Sequence, residues 1–180
     1  MTTIVAVQNV RGVQFGADSL TTTSRKYKDS RMVKITEQGQ YIIAGSGLAS
    51  YCDVAQHIWK PPTPIRADRA DMYHFVISRV IPSLKNCLKD NDLDFDFKDD
   101  DGFDLLLAVG GEVFYIDQTF SVCLDASGFY AIGSGADFAI GALAFGASIQ
   151  QALEIASNFD PYTDAPFQYV MQEKTNLRQE

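Results

Sequence analysis

The chain has 180 residues, of which 46% are apolar, 12% aromatic and 21% charged. That size suits one domain over residues 1–180, with a core large enough to fold without metal or disulfide, and the composition excludes a disordered tail or a fibre. Lys and Arg number 15 against 23 Asp and Glu, a net charge of −8 that repels both a phosphate backbone and an anionic lipid surface, so neither nucleic acid nor membrane is an expected partner.

The chain opens with a β-branched apolar run at residues 3–7, turned by Arg11-Gly12 into a second run at 13–17, which reads as a hairpin ending at Asp18. A polar stretch over 21–26 precedes a short strand expected around 32–35. A Glu37-Gln38-Gly39-Gln40 turn then leads to a strong strand at 41–44. The period changes next. Leu48, Cys52, Ala55 and Trp59 share one helical face, and Pro61-Pro62 ends that helix. A second helical pattern runs through Met72, Phe75, Val76, Val80, Leu84 and Leu88, with Pro82 inside it predicting a kink or a restarted turn. Seven Asp and one Lys between positions 90 and 101 read as a solvated acidic loop, because an EF-hand's glycine and terminal glutamate are not at their required places.

Strand patterns resume over 105–109, 112–116, 120–124 and 129–132. Two helices are expected over 137–145 and from 149 to 156, the second with Ser148 as its N-cap, followed by a closing strand at 167–171 and a frayed tail from 173. Strands, two helices, strands, two helices and a strand are segregated runs, which predicts an α+β layered sandwich rather than alternating βαβ units. The apolar runs at 129–132 and 139–145 fall far short of the roughly 20 residues that span a bilayer, and no basic flank with an apolar run opens the chain, so the cytoplasm is the expected compartment. Cys52, Cys87 and Cys123 are odd in number and widely spaced, which suits reduced thiols. With no CxxC or HxxxH spacing, neither a metal nor a cofactor is expected.

The chemistry could begin at the N-terminus. Thr2 follows Met1 and is small enough for methionine removal, which would leave a hydroxyl and a free α-amine on one residue. Such an amine titrates near pH 8, so it can act as the base for its own hydroxyl. Asp18, at the end of the second hairpin strand, would lie beside the start of the first. Lys34, in the apolar context Val33-Lys34-Ile35, would favour the neutral amine, with Asp18 holding it. Taken singly, Asp18 reads equally as a turn former and Lys34 as a solvated edge residue. The tripeptides Gly45-Ser46-Gly47 and Gly133-Ser134-Gly135 each join a strand to a helix, a junction that serves a tight turn or an oxyanion-binding amide.

The ordered set formed by residues 2–7, Gly16-Ala17-Asp18, Lys34, Ile42-Ile43-Ala44-Gly45, Ala131-Ile132-Gly133-Ser134-Gly135 and Asp160-Pro161-Tyr162-Thr163 resembles the proteasome β-type N-terminal nucleophile hydrolases and, within them, the HslV type, a peptidase that works with an ATPase. The resemblance covers the chain from Thr2 to about Tyr169. It implies a four-layer αββα sandwich and a threonine-type endopeptidase acting on unfolded polypeptide inside a homo-oligomeric ring, with an ATPase as partner. Residue by residue it makes Thr2 the nucleophile, Asp18 and Lys34 the supporting charged pair, and Ser134 the group that holds the amine and its water. Asp160 and Thr163 complete the hydrogen-bond set, with Thr163 where the family has Ser. The oxyanion amide would come from Gly47, with Leu48 the alternative, since Ser46-Gly47-Leu48-Ala49 stands in place of the family's Gly-Gly pair. A different class remains open, a non-catalytic subunit of a proteasome-like ring. An amidohydrolase of small molecules on the same fold is a third reading.

Overall fold

The computed structural model describes residues 2–22, 25–28, 32–95, 97 and 102–174. In chain order the strands are β1 (Thr3–Asn9), β2 (Gly12–Ala17), β3 (Leu20–Thr22), β4 (Lys26–Lys28), β5 (Ile35–Gln38), β6 (Tyr41–Gly47), β7 (Phe103–Val109), β8 (Glu112–Ile116), β9 (Val122–Cys123), β10 (Phe129–Gly133) and β11 (Gln168–Glu173). Two antiparallel sheets carry most of them, in the orders β10-β1-β2-β11 and β5-β6-β7-β8-β9, and β3 and β4 form a small separate hairpin.

Side-chain alternation explains how these sheets stack. Along β1, Ile4 and Ala6 enter a core shared with Ile42, Ala44, Leu106 and Ala108 of the other sheet, whereas Val5 faces the opposite way. Along β7, Leu106 and Ala108 face that inter-sheet core while Leu105, Leu107 and Val109 face outward into a second core. Central strands buried on both faces read as continuous apolar runs rather than alternating ones. The outer core of the β5–β9 sheet is closed by helix α1 (Ala49–Asp53), which continues as a π-helical turn over Val54–Ile58, and by α2 (Met72–Phe75), a second π-helical turn (Val76–Val80) and α3 (Ile81–Asp90). The outer face of the other sheet is covered by α4 (Ala136–Ala144) and α5 (Ile149–Phe159), through Ala139, Leu143, Leu153 and Ala156. The result is the αββα sandwich.

Several boundaries differ from expectation for local reasons. The strand expected near 32–35 starts at Ile35 and runs to Gln38, so Lys34 precedes it. Part of the polar stretch pairs as β3 with β4, Thr21 opposite Tyr27. The strand expected over 120–124 shrinks to Val122–Cys123, because Phe120 takes a left-handed turn (φ 65°) closed by its N–H donating to Asp117 O at 2.8 Å, and its ring joins the outer core. Pro82 has no N–H to donate, and the helix meets this by opening the wider turn Val76–Val80 ahead of it rather than breaking. Ser148 caps α5 as expected, in a reciprocal capping box with Gln151.

The described aspartates of the acidic run, Asp90, Asp92 and Asp94, are exposed as expected, but the apolar residues beside them are not. Leu93, Phe95 and Phe97 alternate with the aspartates and pack on the outer core, Phe97 against Tyr51 at a centroid distance of 5.2 Å and Phe95 against Phe120 at 4.8 Å. Positions 96 and 98–101 of that run lie outside the described residues, as does the tail from 175.

The helical layer over β2 depends on one missing side chain. A methyl built on Gly16 would stand 2.4 Å from Ile149 Cγ2 and 2.9 Å from Leu153 Cδ1, closer than carbon atoms approach. Gly16→Ala is therefore expected to push α5 off the sheet and to lower stability by about 1–3 kcal/mol, the usual cost of overpacking. Urea unfolding at an unchanged midpoint would contradict this packing.

Candidate active site

The β1–β2 ladder pairs Ile4 with Ala17, and the Asp18 N–H donates to Thr3 O at 3.1 Å, which brings Asp18 beside the first residues of β1. Its carboxylate is fully buried. Oδ1 accepts from Thr2 Oγ1 at 2.6 Å, from the Thr3 N–H at 2.9 Å and from Lys34 Nζ at 2.8 Å, and Oδ2 accepts from the Leu20 N–H at 2.9 Å. Lys34 Nζ also donates to Leu20 O at 2.7 Å and to Thr2 Oγ1, so all three ammonium hydrogens are engaged. Its backbone is placed by the first sheet, since the Lys34 N–H donates to Gln168 Oε1 at 3.0 Å. The Lys34 side chain is 12% exposed. Burial pushes its ammonium below the ordinary lysine value, with Asp18 opposing the shift through its charge and hydrogen bond.

A second group of polar residues lies on the other side of the Thr2–Thr3 backbone. Gly133 pairs with Thr3, and at φ +93° a Cβ there would lie 2.0 Å from Thr2 O and 2.9 Å from Ser46 Oγ. The two Gly-Ser-Gly junctions thus meet beside Thr2. Ser134 Oγ donates to Asp160 Oδ2 at 2.7 Å and lies 3.4 Å from Thr2 O. Asp160 caps the end of α5 and also accepts from Thr163 Oγ1 at 2.5 Å and from the Tyr162 N–H at 3.2 Å.

The junction after β6 distinguishes the two amides considered for an oxyanion. The Leu48 N–H donates to Gly102 O at 3.0 Å and is occupied. That bond makes Gly47 and Phe103 a non-hydrogen-bonded pair of the antiparallel ladder, so the Gly47 N–H turns away from β7, beyond the point where β5 stops pairing at Ile35. Gly47 has φ +100°, and a Cβ there would meet Gly102 O at 2.2 Å, so glycine is required.

All seven residues singled out in the sequence except Gly47 therefore fall into two hydrogen-bonded groups on either side of Thr2. Thr3, Leu20 and Gln168 were missed. Thr3 is buried and polar at the start of an apolar strand, a signal that its hydroxyl must find a partner. Leu20 acts through its backbone, for which no sequence signal exists. Among the described residues no cluster of three or more His, Cys, Asp or Glu could hold a metal ion.

Removing one partner of the buried pair leaves the other uncompensated. Asp18→Ala should cost about 3–5 kcal/mol in urea unfolding, since it strands Lys34 and two backbone N–H groups. With its folded value lowered, Lys34 binds its proton more weakly in the folded chain than in the unfolded one. Its contribution to stability should therefore rise with pH between the lowered value and the ordinary one. The stability of the wild type relative to Lys34→Met should increase through that alkaline window, and a flat difference would contradict the burial of the ammonium.

No protein-family model and no curated protein sequence matches the chain. Solved structures do match. BPH from Thiobacillus denitrificans, in a complex with epoxomicin, superimposes with a TM-score of 0.73 at 22% identity, over 97% of this chain and 100% of that one. HslV from Trypanosoma brucei gives 0.69 at 19% identity over 96% and 99%, and Anbu from Yersinia bercovieri, described as an ancestral β-subunit, gives 0.64 at 14% over 94% and 81%. With these likenesses spanning nearly the whole chain, the fold is that of the proteasome-β-like N-terminal nucleophile hydrolases.

Proposed function

We propose that the chain is a threonine-type endopeptidase whose nucleophile is Thr2 once Met1 has been removed. The observation that supports this most directly is the Thr2 hydroxyl, which donates to the Asp18 carboxylate and accepts from the Lys34 ammonium in a nearly solvent-free pocket. A weakly nucleophilic hydroxyl needs a nearby base and a positive field to carry a developing alkoxide, and a cation is most effective where water is excluded.

In this reading the freed α-amine takes the Thr2 Oγ1 proton, directly or through a water, and Oγ1 bonds to the scissile carbonyl carbon. The Gly47 N–H receives the oxyanion. Collapse breaks the C–N bond, the leaving amine takes the proton held by the α-ammonium, and an ester to Thr2 remains. The amine then activates a water that hydrolyses the ester and restores the hydroxyl. Lys34 supports the alkoxide and Asp18 holds Lys34, while Ser134, Asp160 and Thr163 hold the amine and its water. The same reading gives a closed homo-oligomeric ring with inward-facing sites, unfolded polypeptide as substrate, an ATPase as unfolding partner and the cytoplasm as compartment. The non-catalytic ring subunit is the competing outcome, with the same sandwich and no free Thr2 amine.

Incubation with a peptide epoxyketone, which needs both hydroxyl and free α-amine to form its ring adduct, should give a protein lacking Met1 and carrying one adduct by intact mass. Thr2→Ala should give none and no peptide turnover. Retained Met1 with no adduct would favour the non-catalytic subunit, and turnover by Thr2→Ala would overturn the nucleophile. Sedimentation should report a mass many times the 19.9 kDa of one chain, whereas a monomer would count against the ring.

A further inference from the structure

Thr3 is tied to both halves of the site. Its N–H donates to Asp18 Oδ1 at 2.9 Å, and its hydroxyl oxygen lies 2.5 Å from that of Thr163, which in turn lies 2.5 Å from Asp160 Oδ2. Each hydroxyl has one hydrogen and an ionised carboxylate can only accept. The Thr163 hydrogen therefore goes to Asp160, and the hydrogen between the two threonines must come from Thr3. Ser134 makes the third member of the set by donating to the same Oδ2 at 2.7 Å, with its oxygen 3.4 Å from Thr2 O. Both threonines are buried, Thr3 at 0% and Thr163 at 3% exposure, which leaves bulk water no part in satisfying them.

The space for this contact exists because residue 135 has no side chain. A Cβ on Gly135 would stand 2.2 Å from Thr3 Oγ1, 2.9 Å from Thr163 Oγ1 and 3.1 Å from Asp160 Oδ2. Alternation along β1 accounts for the division of labour. Thr2 shares the inter-sheet side with Ile4, and Thr3 shares the helix side with Val5, which puts its hydroxyl under the end of α5.

We infer that Thr3 is a positioning residue, donating through Thr163 to Asp160 so that a single order of protons holds this carboxylate and Ser134 against the backbone of Thr2. The inference rests on the peptidase reading for its effect on rate but not for the order of protons. Chains of hydroxyls ending on a carboxylate polarise one another, and they lose their order when the first donor is removed.

The test compares full-length wild type, Thr3→Val and Thr3→Ser, each with Met1 removed. Rates of adduct formation with a peptide epoxyketone are read by intact mass, and hydroxyl protons by NMR of threonine-labelled protein. Val keeps the shape and removes the hydroxyl, so Thr3→Val should react about 10- to 100-fold more slowly, as expected of a small misplacement at a reacting centre. Thr3→Ser should return near the wild-type rate. Wild type should show slowly exchanging hydroxyl protons on both Thr3 and Thr163, and that of Thr163 should persist, shifted, in Thr3→Val. A wild-type rate in Thr3→Val, an equal loss in Thr3→Ser, or an unprotected Thr3 hydroxyl would each overturn the inference. If the wild type itself forms no adduct, the peptidase reading falls, and the hydroxyl spectrum still decides the proton order.

Discussion

A carboxylate closed off from solvent needs a donor for each direction in which it would otherwise face water, and Asp18 finds four. They come from three separate stretches of chain: Thr2 and Thr3 at the head of β1, Leu20 at the head of β3, and Lys34 just ahead of β5. Since β1 and β5 belong to different sheets, one buried charge joins the two inner layers at one end of the sandwich. Lys34 answers that charge with one of its three hydrogens and gives the others to Thr2 Oγ1 and Leu20 O, so the Thr2 hydroxyl bridges the pair. This side of the polar end is thus built around one anion, and the other side around a second buried carboxylate, Asp160, which accepts from Ser134 and Thr163.

The remainder of the inter-sheet space is apolar, filled by Ile4, Phe15, Ile42, Leu106 and Ile132. This contrast gives the site its electrostatics. Packing excludes water from the middle of the sandwich, so the charges at its end interact in a medium of low polarity, and the Lys34 ammonium is held less firmly protonated than a surface lysine. Close backbone approach does the rest. Gly47, Gly133 and Gly135 stand where a side chain would strike Gly102 O, Thr2 O and Thr3 Oγ1, and their absence of a Cβ lets two strand-to-helix junctions meet at Thr2.

Much of this was legible in residue order. Hydrophobic period separated strands from helices, and Ser148 marked the start of α5. The hairpin register followed from the short Arg11-Gly12 turn, which is why Asp18 could be set beside Thr2 from sequence. The errors cluster where tertiary contact overrides local pattern. Phe120 reads as a strand residue, yet its ring is drawn into the outer core through a left-handed turn. Asp90, Asp92 and Asp94 of the acidic run are exposed as expected, yet Leu93, Phe95 and Phe97 between and beside them pack on the outer core, Phe97 against Tyr51 of α1 and Phe95 against Phe120.

By itself the sequence determined the order of strands and helices and the nearness of Asp18 to Thr2, because these depend on periodicity and on one short turn, while the four-layer arrangement and the roles of Ser134, Asp160 and Thr163 were implied only by the resemblance to the hydrolase family. That the Leu48 amide is already bonded, and the Gly47 amide turned away from β7, needed the register of β6 against β7, some 55 residues apart. The roles of Thr3 and of the Leu20 backbone likewise emerged from folding alone. A hydrogen bond between residues 160 positions apart, or one made by a main-chain group that every residue carries, leaves no mark in the order of side chains.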